Sequence, residues 1–156
     1  MPNFVLTIGH SRHNWETFGG LLSPFNAELL IDVRSNPVSG FAPWSNMKKL
    51  PDLLAELRVE YVWMGDSLGG KPKDRALYDD RGKPDYGAIS ATPIFQKGID
   101  ELVNIVSNRT TVLMCAEEDP ANCHRRLAIG PGLVAAGIEL RHIRKTGAVE
   151  SELPIP

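Results

Sequence analysis

Short apolar runs alternate with helical patterns along this sequence. Four of the runs lie at Phe4–Ile8, Leu29–Val33, Tyr61–Met64 and Val112–Cys115. The last three show little polar alternation, which is typical of strands buried on both faces of a sheet. A fifth run, Ile138–Ile143, alternates apolar and polar residues and predicts a half-exposed or edge strand.

Segments between these runs have the spacing of amphipathic helices. Their apolar residues recur at steps of three and four: Trp15, Phe18, Leu22 and Phe25 in one segment, and Phe95, Ile99, Leu102 and Val106 in another. Each helix would bury one stripe of side chains. Thr92 followed by Pro93 predicts the start of the second helix. In a third segment, Asn46–Leu57, Pro51 either kinks a helix or begins a new one.

Strands that alternate with helices predict parallel βαβ units with right-handed crossovers. We therefore expect an α/β fold, a three-layer sandwich with a mostly parallel sheet of about five strands. The 156 residues, of which 42% are apolar and 23% charged, suit a single domain over residues 1–156. The stretch Asp66–Ala91 has no clear periodicity and is too long for an ordinary connection, which predicts a functional lid or a mobile loop.

Charge and cysteine content exclude several classes of protein. A formal net charge of −2 argues against a broad basic face for nucleic acid or an acidic membrane. Two cysteines are too few for a secreted disulfide framework, and the N-terminus lacks the layout of a signal peptide. No apolar run approaches the roughly 20 residues that span a bilayer. The sequence therefore predicts a cytoplasmic protein with no membrane partner, and nothing in it calls for a cofactor.

Polar residues and glycines follow four of the predicted strands. They are His10, Ser11 and Arg12 after the first, Asp32, Arg34 and Ser35 at the second, Asp66, Ser67, Gly69 and Gly70 after the third, and Cys115 and Glu117 at the fourth. Ligands of open parallel sheets bind beyond the carboxyl ends of the strands. We expect these residues to share one ligand-binding rim. A simpler role for Asp32 is a salt bridge to Arg12 or Arg125.

The densest group of reactive side chains is "VLMCAEEDPANCHRR", which holds both cysteines of the chain. Asp119–Pro120 or Asn122 would start the helix that follows. Either start places Cys123, His124 and Arg125 within about the first turn, where free amide groups and the helix dipole favour an anion. Such surroundings lower a thiol pKa. Cys123 is therefore interpreted as a nucleophilic or redox-active thiolate, as the lining of an anion site, or as a packed side chain.

Each neighbouring candidate has a possible structural role as well as a possible catalytic one. Cys115, at the end of a buried strand, is expected to be a core residue first and a nucleophile second. His124 is a candidate general base, but neighbouring helix residues point in different directions, so a direct pair with Cys123 is not expected. His10 arrives from another strand and is the better partner for either thiol, unless it caps a backbone group. Glu117 is the carboxylate nearest the strand end and another candidate base.

Several of these segments occur in the order of a known family. They are "TIGHS", "DVRSNP", "EYVWMGDSLGG" and "CAEEDPANCHR", followed by "GIELRHI". Together they resemble the family catalogued as domain of unknown function 488, DUF488, from about Leu6 to Ile143. The resemblance implies an α/β fold and a shared site, but no reaction. In "AIGPGLVAAG", Gly130, Pro131 and Gly132 stand where the helix after the cysteine motif is expected to continue, which predicts a break or kink there.

The first functional hypothesis is an enzyme that uses Cys123, or in second place Cys115, for covalent group transfer or hydrolysis. Its other residues are His10, His124 and Glu117 for proton transfer, and Arg34 and Arg125 for an anionic small molecule or nucleotide-like substrate. "LIDVR" and the later strand that ends in cysteine are locally similar to rhodanese-like sulfurtransferases and related phosphatases. The compact loop from cysteine to arginine that those enzymes carry is absent.

Two alternatives use the same rim without thiol chemistry. A binding module would recognise a nucleotide or a nucleic-acid end, although the acidic net charge disfavours nucleic acid. Its residues would be Arg12, Arg34, Arg125 and the Gly69–Gly70 loop, aided by Trp44 or Trp63. A metal site would combine Cys115, Cys123, His10 and His124, but the familiar paired-cysteine and paired-histidine spacings are absent.

Overall fold

Six strands form one sheet in this computed structural model, which describes residues 3–152. The strands are β1 (Phe4–Gly9), β2 (Leu29–Asp32), β3 (Glu60–Trp63), β4 (Thr111–Cys115), β5 (Glu139–Ile143) and β6 (Val149–Glu152). Their order is β3-β2-β4-β1-β5-β6, and every neighbouring pair is parallel except β5 and β6. The predicted α/β fold with a mostly parallel sheet is confirmed.

Helices cover both faces of the sheet. They are α1 (Trp15–Leu22), α2 (Leu50–Glu56), α3 (Gly65–Leu68), α4 (Tyr86–Ser90), α5 (Pro93–Asn108), α6 (His124–Leu127) and α7 (Ile129–Ala135). Helices α1 and α2 bury apolar residues such as Phe18 and Leu54 against one face, which we call the α1 face. Helices α5 and α7 bury Phe95 and Leu133 against the other, the α5 face. The result is the expected three-layer arrangement.

Strand β4 lies in the middle of the sheet and is buried along its whole length. Val112 and Met114 belong to the core of the α1 face, whereas Leu113 and Cys115 belong to that of the α5 face. Successive side chains of a strand point to opposite faces, so a strand between two helical layers needs apolar residues at every position. This accounts for the continuous apolar run from which β4 was predicted.

Strand β3 does not match its prediction of burial on both faces. It forms one edge of the sheet, and its residues Glu60 and Val62 are exposed. An edge strand has a neighbour on one side only, and here one of its faces is left largely uncovered. The prediction from the run Tyr61–Met64, that this strand is buried on both faces, is therefore wrong.

Strand β5 is half-buried, as its alternation predicted, but it does not form an edge. Strand β6 pairs with it antiparallel and takes the edge position. The sequence of β6 is "VESE", and three of its four residues are exposed. A strand this short and polar has no apolar pattern by which it could be recognised.

The helix starts predicted around Pro51 and at Thr92–Pro93 agree with the structure. Thr92 caps α5 by accepting a hydrogen bond at Oγ1 from the backbone N–H of Phe95 at 3.3 Å. Pro51 lies in the first turn of α2, so it begins this helix and does not kink it. Helix α1 ends at Leu22, and the last residue of its predicted stripe, Phe25, lies in a separate 3₁₀ turn.

The helical segment after the cysteine motif breaks earlier than predicted. Helix α6 ends at Leu127 and α7 begins at Ile129, with Ala128 between them at φ −111° and ψ −51°. Gly130–Gly132 lies inside α7. Pro131 supplies the reason, because a helical proline lacks an N–H group and its ring clashes with the carbonyl four residues earlier, which belongs to Leu127.

The stretch Asp66–Ala91 is more ordered than its lack of periodicity indicated. It contains most of α3, a 3₁₀ turn at Arg75–Leu77, an antiparallel bridge between Tyr78 and Pro84, and α4. Its role as a lid stays a prediction. Within residues 3–152, no helix combines the length and the apolar character needed to cross a membrane.

Candidate functional site

A cavity of about 290 Å³ opens at the carboxyl ends of β2 and β4. Its lining residues are Arg34, Ser35, Asn36, Val38, Ser39, Gly70, Lys71, Tyr86, Cys115, Ala116, Glu117, Asn122, Cys123 and His124. This is the end of a parallel sheet at which ligands of α/β proteins bind. Both thiols reach the same cavity.

Cys123 lies at the point where the loop after β4 enters α6. Asp119 accepts a hydrogen bond from the N–H of Ala121 and caps a 3₁₀ turn, after which Cys123 is extended at φ −117°. Cys123 is itself the N-cap of α6, because its Sγ accepts a hydrogen bond from the N–H of Arg125 at 3.5 Å. The expected start at Asp119–Pro120 thus forms a short turn, and the α-helix begins four residues later. An N–H group at the start of a helix stabilises a thiolate.

His124 contacts the sulfur of Cys123, contrary to the expectation from helix geometry. Its Nδ1 lies 3.8 Å from Cys123 Sγ, and its Nε2 lies 2.8 Å from the carbonyl oxygen of Val33. The contact forms because Cys123 is extended and precedes the helix, so the divergence of neighbouring helical side chains does not apply. A carbonyl only accepts, so Nε2 carries a proton and Nδ1 faces the sulfur. This is the arrangement of a general base or of a thiolate–imidazolium pair.

The loop after α3 holds the His124 ring in place. A Cβ atom at Gly70 would lie 2.7 Å from Cγ of His124, so only glycine allows this close packing. Ser35 accepts a hydrogen bond at Oγ from the N–H of Lys71 at 2.8 Å, which fixes the loop to the end of β2. Gly69 packs against the same serine. Ser35 and Gly70 therefore line the cavity, as predicted for the rim. Gly69 is not among the lining residues and contacts Ser35 instead.

Arg125 is fully buried, and its guanidinium group lies beneath the two thiols. Nη1 donates to Sγ of Cys115 at 2.7 Å and to the carbonyl oxygen of Glu117 at 2.5 Å, and Nη2 donates to that of Glu118 at 3.1 Å. Nε donates to Thr7 Oγ1 at 3.0 Å. Among residues 3–152, no Asp or Glu forms an ion pair with Arg125. A buried cation needs a compensating anion, and the sulfur atoms are the groups in place to supply it.

The two thiols affect each other's ionisation and differ in acidity. The pKa of Cys123 is lowered, first by the neighbouring Cys115 thiol and then by His124 and Arg125, against the effect of burial. The pKa of Cys115 is raised well above its ordinary value, first by burial and then by Cys123. These directions favour ionisation of Cys123 before Cys115. The role of Cys123 as a thiolate stays a prediction.

A chain of buried polar groups fixes the position of Arg125. Thr7 Oγ1 lies 2.6 Å from Nδ1 of His142, whose Nε2 lies 2.7 Å from Oε1 of Glu152. A carboxylate only accepts, so Nε2 carries the proton, and the Thr7 hydroxyl donates to Nδ1. Burial lowers the pKa of His142, which favours this neutral ring. The edge strand β6 is thereby connected to the thiol site, a relation that its polar sequence does not reveal.

Glu117 and Gly9 shape the floor of the site through the backbone. The side chain of Glu117 is exposed, while its carbonyl oxygen accepts from Arg125 and lies 3.7 Å from the sulfur of Cys115. Gly9 is aligned with Cys115 in the sheet, and a Cβ atom there would overlap the Glu117 carbonyl. The glycine of "TIGHS" is thus needed for the close approach of the loop. Glu117 lies at the cavity as predicted, and no hydrogen bond or ion pair within residues 3–152 fixes its carboxylate.

Tyr86 lines the cavity but had no signal in the sequence, because it comes from the non-periodic segment between α3 and α5. Burial raises the pKa of its hydroxyl, and the charges of Cys123, Cys115 and Glu117 raise it further. The hydroxyl therefore stays protonated beside the two sulfurs. It is a hydrogen-bond donor for negative charge that develops in the cavity.

Asp32 and Arg34 form a closed ion pair on the α1 face. Arg34 donates from Nε and Nη2 to the two carboxylate oxygens of Asp32 at 2.9 and 2.7 Å, and its other bonds go to Ser45. Tyr61 donates to Asp32 at 2.6 Å. The expected partners of Asp32, Arg12 and Arg125, are therefore replaced by Arg34. Arg34 also lines the cavity, while its guanidinium is held by Asp32 and Ser45, and its role in binding a substrate stays a prediction.

His10, Ser11 and Arg12 do not join the thiols. His10 packs edge-on against Trp44, within the core of the α1 face, so the sheet separates it from both cysteines. Arg12 is exposed and stacks over the ring of Phe41 at 4.2 Å. Ser11, at φ 48°, continues the turn after β1. The expected pairing of His10 with a thiol is not formed.

The metal-binding set proposed from the sequence is not brought together. Its His10 lies across the sheet from Cys115, Cys123 and His124. No group of three or more His, Cys, Asp or Glu side chains in the described part of the chain is arranged to hold a metal ion.

Comparison with known proteins gives one match. Searches of the curated proteins and of the solved structures return nothing similar to this chain. The family model described as "Domain of unknown function DUF488" matches residues 14–130. This range is three quarters of the chain and includes both cysteines, Tyr86 and the α6 residues His124 and Arg125. The chain therefore belongs to the DUF488 family.

Proposed function

We propose that this protein is a thiol-dependent enzyme that transfers or hydrolyses a group through a covalent adduct on Cys123. The observation that carries the proposal is the buried guanidinium of Arg125, which has no carboxylate partner within residues 3–152 and donates to Cys115 Sγ. Charge compensation at this position favours a thiolate in the sulfur pair. A thiolate that opens on a cavity is a nucleophile ready to react.

The cavity supplies the remaining groups for such a reaction. Sγ of Cys123 forms a bond to the electrophilic atom of the substrate, and the bond to the leaving group breaks with its electron pair on the leaving group. Nδ1 of His124, which faces the sulfur, holds the proton of the thiolate–imidazolium pair and gives it to the leaving group. The Tyr86 hydroxyl donates a hydrogen bond to the developing negative charge. Water or a second acceptor then releases the group from the sulfur.

A small anionic or nucleotide-like substrate suits this cavity. A volume of about 290 Å³ holds a small molecule or one end of a larger one. Lys71 is exposed at the lining and offers a positive charge, a role earlier expected of Arg34 and Arg125. Both cysteines are free thiols, which supports the proposal of a reducing, cytoplasmic setting. The local similarity to rhodanese-like sulfurtransferases stays a prediction.

The experiment uses p-nitrophenyl acetate as a general electrophile at neutral pH. We expect a burst of one p-nitrophenolate per chain and an acetyl group on Cys123 by peptide mass spectrometry. Cys123→Ser should lose the burst with little change in thermal midpoint, while Cys115→Ser keeps it. A burst that survives in Cys123→Ser, or no acetylation of the wild type, would overturn the proposal.

A binding module without covalent chemistry is the alternative, and the polar lining favours it. Ser35, Asn36, Ser39 and Asn122 all face the cavity and offer hydrogen bonds to a ligand. Isothermal titration of nucleoside monophosphates and inorganic phosphate into the Cys123→Ser variant tests this function. Binding by the variant, with no acetylation of the wild type, would favour the module over the enzyme.

A further inference from the structure

We propose that Cys115 and Cys123 form a dithiol–disulfide couple, and that the site reduces small disulfides in the cavity. The inference rests on the proposed function, because Cys123 is again the attacking thiolate. It assigns Cys115 a chemical role, that of the second thiol, which attacks the adduct on Cys123. It also names the class of substrate.

Both sulfurs are held by the same residue. The backbone N–H of Arg125 donates to Cys123 Sγ at 3.5 Å, and its Nη1 donates to Cys115 Sγ at 2.7 Å. Both thiols also line the same cavity. A sulfur bonded to Cys123 therefore shares this cavity with Cys115.

The guanidinium of Arg125 favours ionisation of the two thiols in turn, first Cys123 and then Cys115. While Cys123 is a thiolate, Cys115 keeps its proton, since two adjacent thiolates would repel each other. Once Cys123 is bonded to a second sulfur, it has no charge. Arg125 is still buried without a carboxylate partner among the described residues, and its closest sulfur contact is with Cys115. The same cation then favours ionisation of Cys115.

The reaction consists of two thiol–disulfide exchanges. The Cys123 thiolate attacks a disulfide R–S–S–R, forms a mixed disulfide and releases the first R–S⁻. Cys115 gives its proton to this released thiolate. The Cys115 thiolate attacks Cys123 Sγ, forms the Cys115–Cys123 disulfide and releases the second R–S⁻. The protein loses two electrons, and the substrate disulfide is reduced to one thiol and one thiolate, which takes its proton from water.

The loop between the cysteines allows the sulfurs to approach bonding distance. Its first part is held, because the carbonyl oxygens of Glu117 and Glu118 accept from Arg125, but Ala121 and Asn122, directly before Cys123, are exposed. Cys115 is fixed at the end of the central strand β4, whereas Cys123 is held at the start of a four-residue helix. Cys123 is therefore the cysteine that is expected to move when the disulfide forms.

The test is a titration of the reduced protein with 5,5′-dithiobis(2-nitrobenzoic acid), an anionic aromatic disulfide. We expect two thionitrobenzoates per chain from the wild type, with a final mass that shows an internal disulfide and no adduct. Peptide mapping should find Cys115 joined to Cys123. Cys115→Ser, in which the serine hydroxyl still accepts from Arg125, should release one thionitrobenzoate and keep the mixed disulfide on Cys123.

The other outcomes separate this inference from the proposed function. A stable mixed disulfide on Cys123 of the wild type, or separate adducts on both cysteines, would overturn the dithiol couple and leave Cys123 as a nucleophile. No reaction at Cys123 would overturn both proposals. The wild-type measurement decides between these results even if Cys115→Ser fails to fold.

Discussion

Arg125 Nη1 lies 2.7 Å from the sulfur of Cys115, at the end of a guanidinium that is fully buried. The nearby oxygens that accept from it are neutral carbonyls and the hydroxyl of Thr7. Neutral acceptors satisfy its N–H groups but do not balance its charge. The negative charge that balances Arg125 is therefore assigned to the two thiols, with Cys123 as the more acidic.

Thr7 connects Arg125 to His142, and its hydroxyl should control the reactivity of Cys123 from a distance. Thr7→Val removes the hydroxyl and leaves Nε of Arg125 and Nδ1 of His142 without a partner. We expect a loss of about 1–3 kcal/mol in the free energy of unfolding and a several-fold slower alkylation of Cys123 at pH 6. Thr7→Ser is the matched control, and it should keep the wild-type alkylation rate. If Thr7→Val and Thr7→Ser were alkylated at equal rates, the hydrogen bonds through Thr7 would not control the position of Arg125.

His124 should lower the pKa of the Cys123 thiol. His124→Asn removes the imidazole that faces Sγ at 3.8 Å. We expect the apparent pKa of Cys123 to rise by about one unit, which slows alkylation about tenfold at a pH below the new value. At pH 10, where the thiol is ionised in both proteins, the two rates should agree. A rate that is lower by the same factor at every pH would point to blocked access instead.

Gly70 should be needed for the position of the His124 ring. A Cβ atom at residue 70 lies 2.7 Å from the ring, so Gly70→Ala should displace the imidazole and give Cys123 the pH profile of His124→Asn. Gly40→Ala is a suitable control, because a Cβ atom there meets nothing within 4 Å. The profile is measured by iodoacetamide alkylation, and an unchanged profile in Gly70→Ala would contradict this packing argument.

Glu118 should stabilise the fold above its folded-state pKa. Arg144 donates to both carboxylate oxygens at 3.0 Å, and these bonds with that from the N–H of Lys145 lower the pKa of Glu118 to about 2. A lowered carboxyl pKa stabilises the fold above the unfolded value, and the stabilisation is lost as the pH falls through 4.5 toward 2.

Glu118→Gln should therefore reduce the free energy of unfolding by about 1 kcal/mol at pH 7 and by much less near pH 2. Urea unfolding at both pH values measures the difference. A deficit that is the same at pH 7 and pH 2 would rule out the ion pair as its source.

The exposed turn in the segment Asp66–Ala91 should be the first site of trypsin cleavage. Asp79 accepts hydrogen bonds from the N–H groups of Arg81 and Lys83 in this turn, whose residues are all exposed. Cleavage after Arg81 is expected, since Lys83 precedes a proline. If the segment is a lid, a mixed disulfide on Cys123 of the Cys115→Ser variant should slow the cut, because Tyr86 of α4 faces the same cavity. First cleavage elsewhere in the chain would contradict the prediction.

The prediction of a helix start placed Cys123, His124 and Arg125 together. These residues are adjacent in the chain, so local geometry determines their relative positions. This prediction could not place His10, since that requires the register between strands. Gly9 pairs with Cys115 in the sheet, so the next side chain along β1 points to the opposite face. A sequence alone gives the period of a strand but not which neighbour it is aligned with.

Arg125, Tyr86 and β6 show a second limit. Arg125 was predicted to hold an anionic substrate, but its side chain is fully buried. Its burial depends on acceptors from two separate segments, Thr7 of β1 and the stretch from Cys115 to Glu118. Tyr86 comes from a segment without periodicity, and β6 is recognised only by its pairing with β5. Tertiary packing brings such residues to the site, and neither the composition nor the spacing of the sequence predicts their position there.

The most direct measurement is the alkylation rate of each cysteine by iodoacetamide across pH 5 to 10, followed by peptide mass spectrometry on the reduced native protein. Fast alkylation of Cys123, with a midpoint well below the ordinary thiol value of about 8.5, and slow alkylation of Cys115 are the predicted results. Two cysteines that both titrate near 8.5, or a Cys115 that reacts first, would contradict the assignment of Cys123 as the thiolate paired with Arg125.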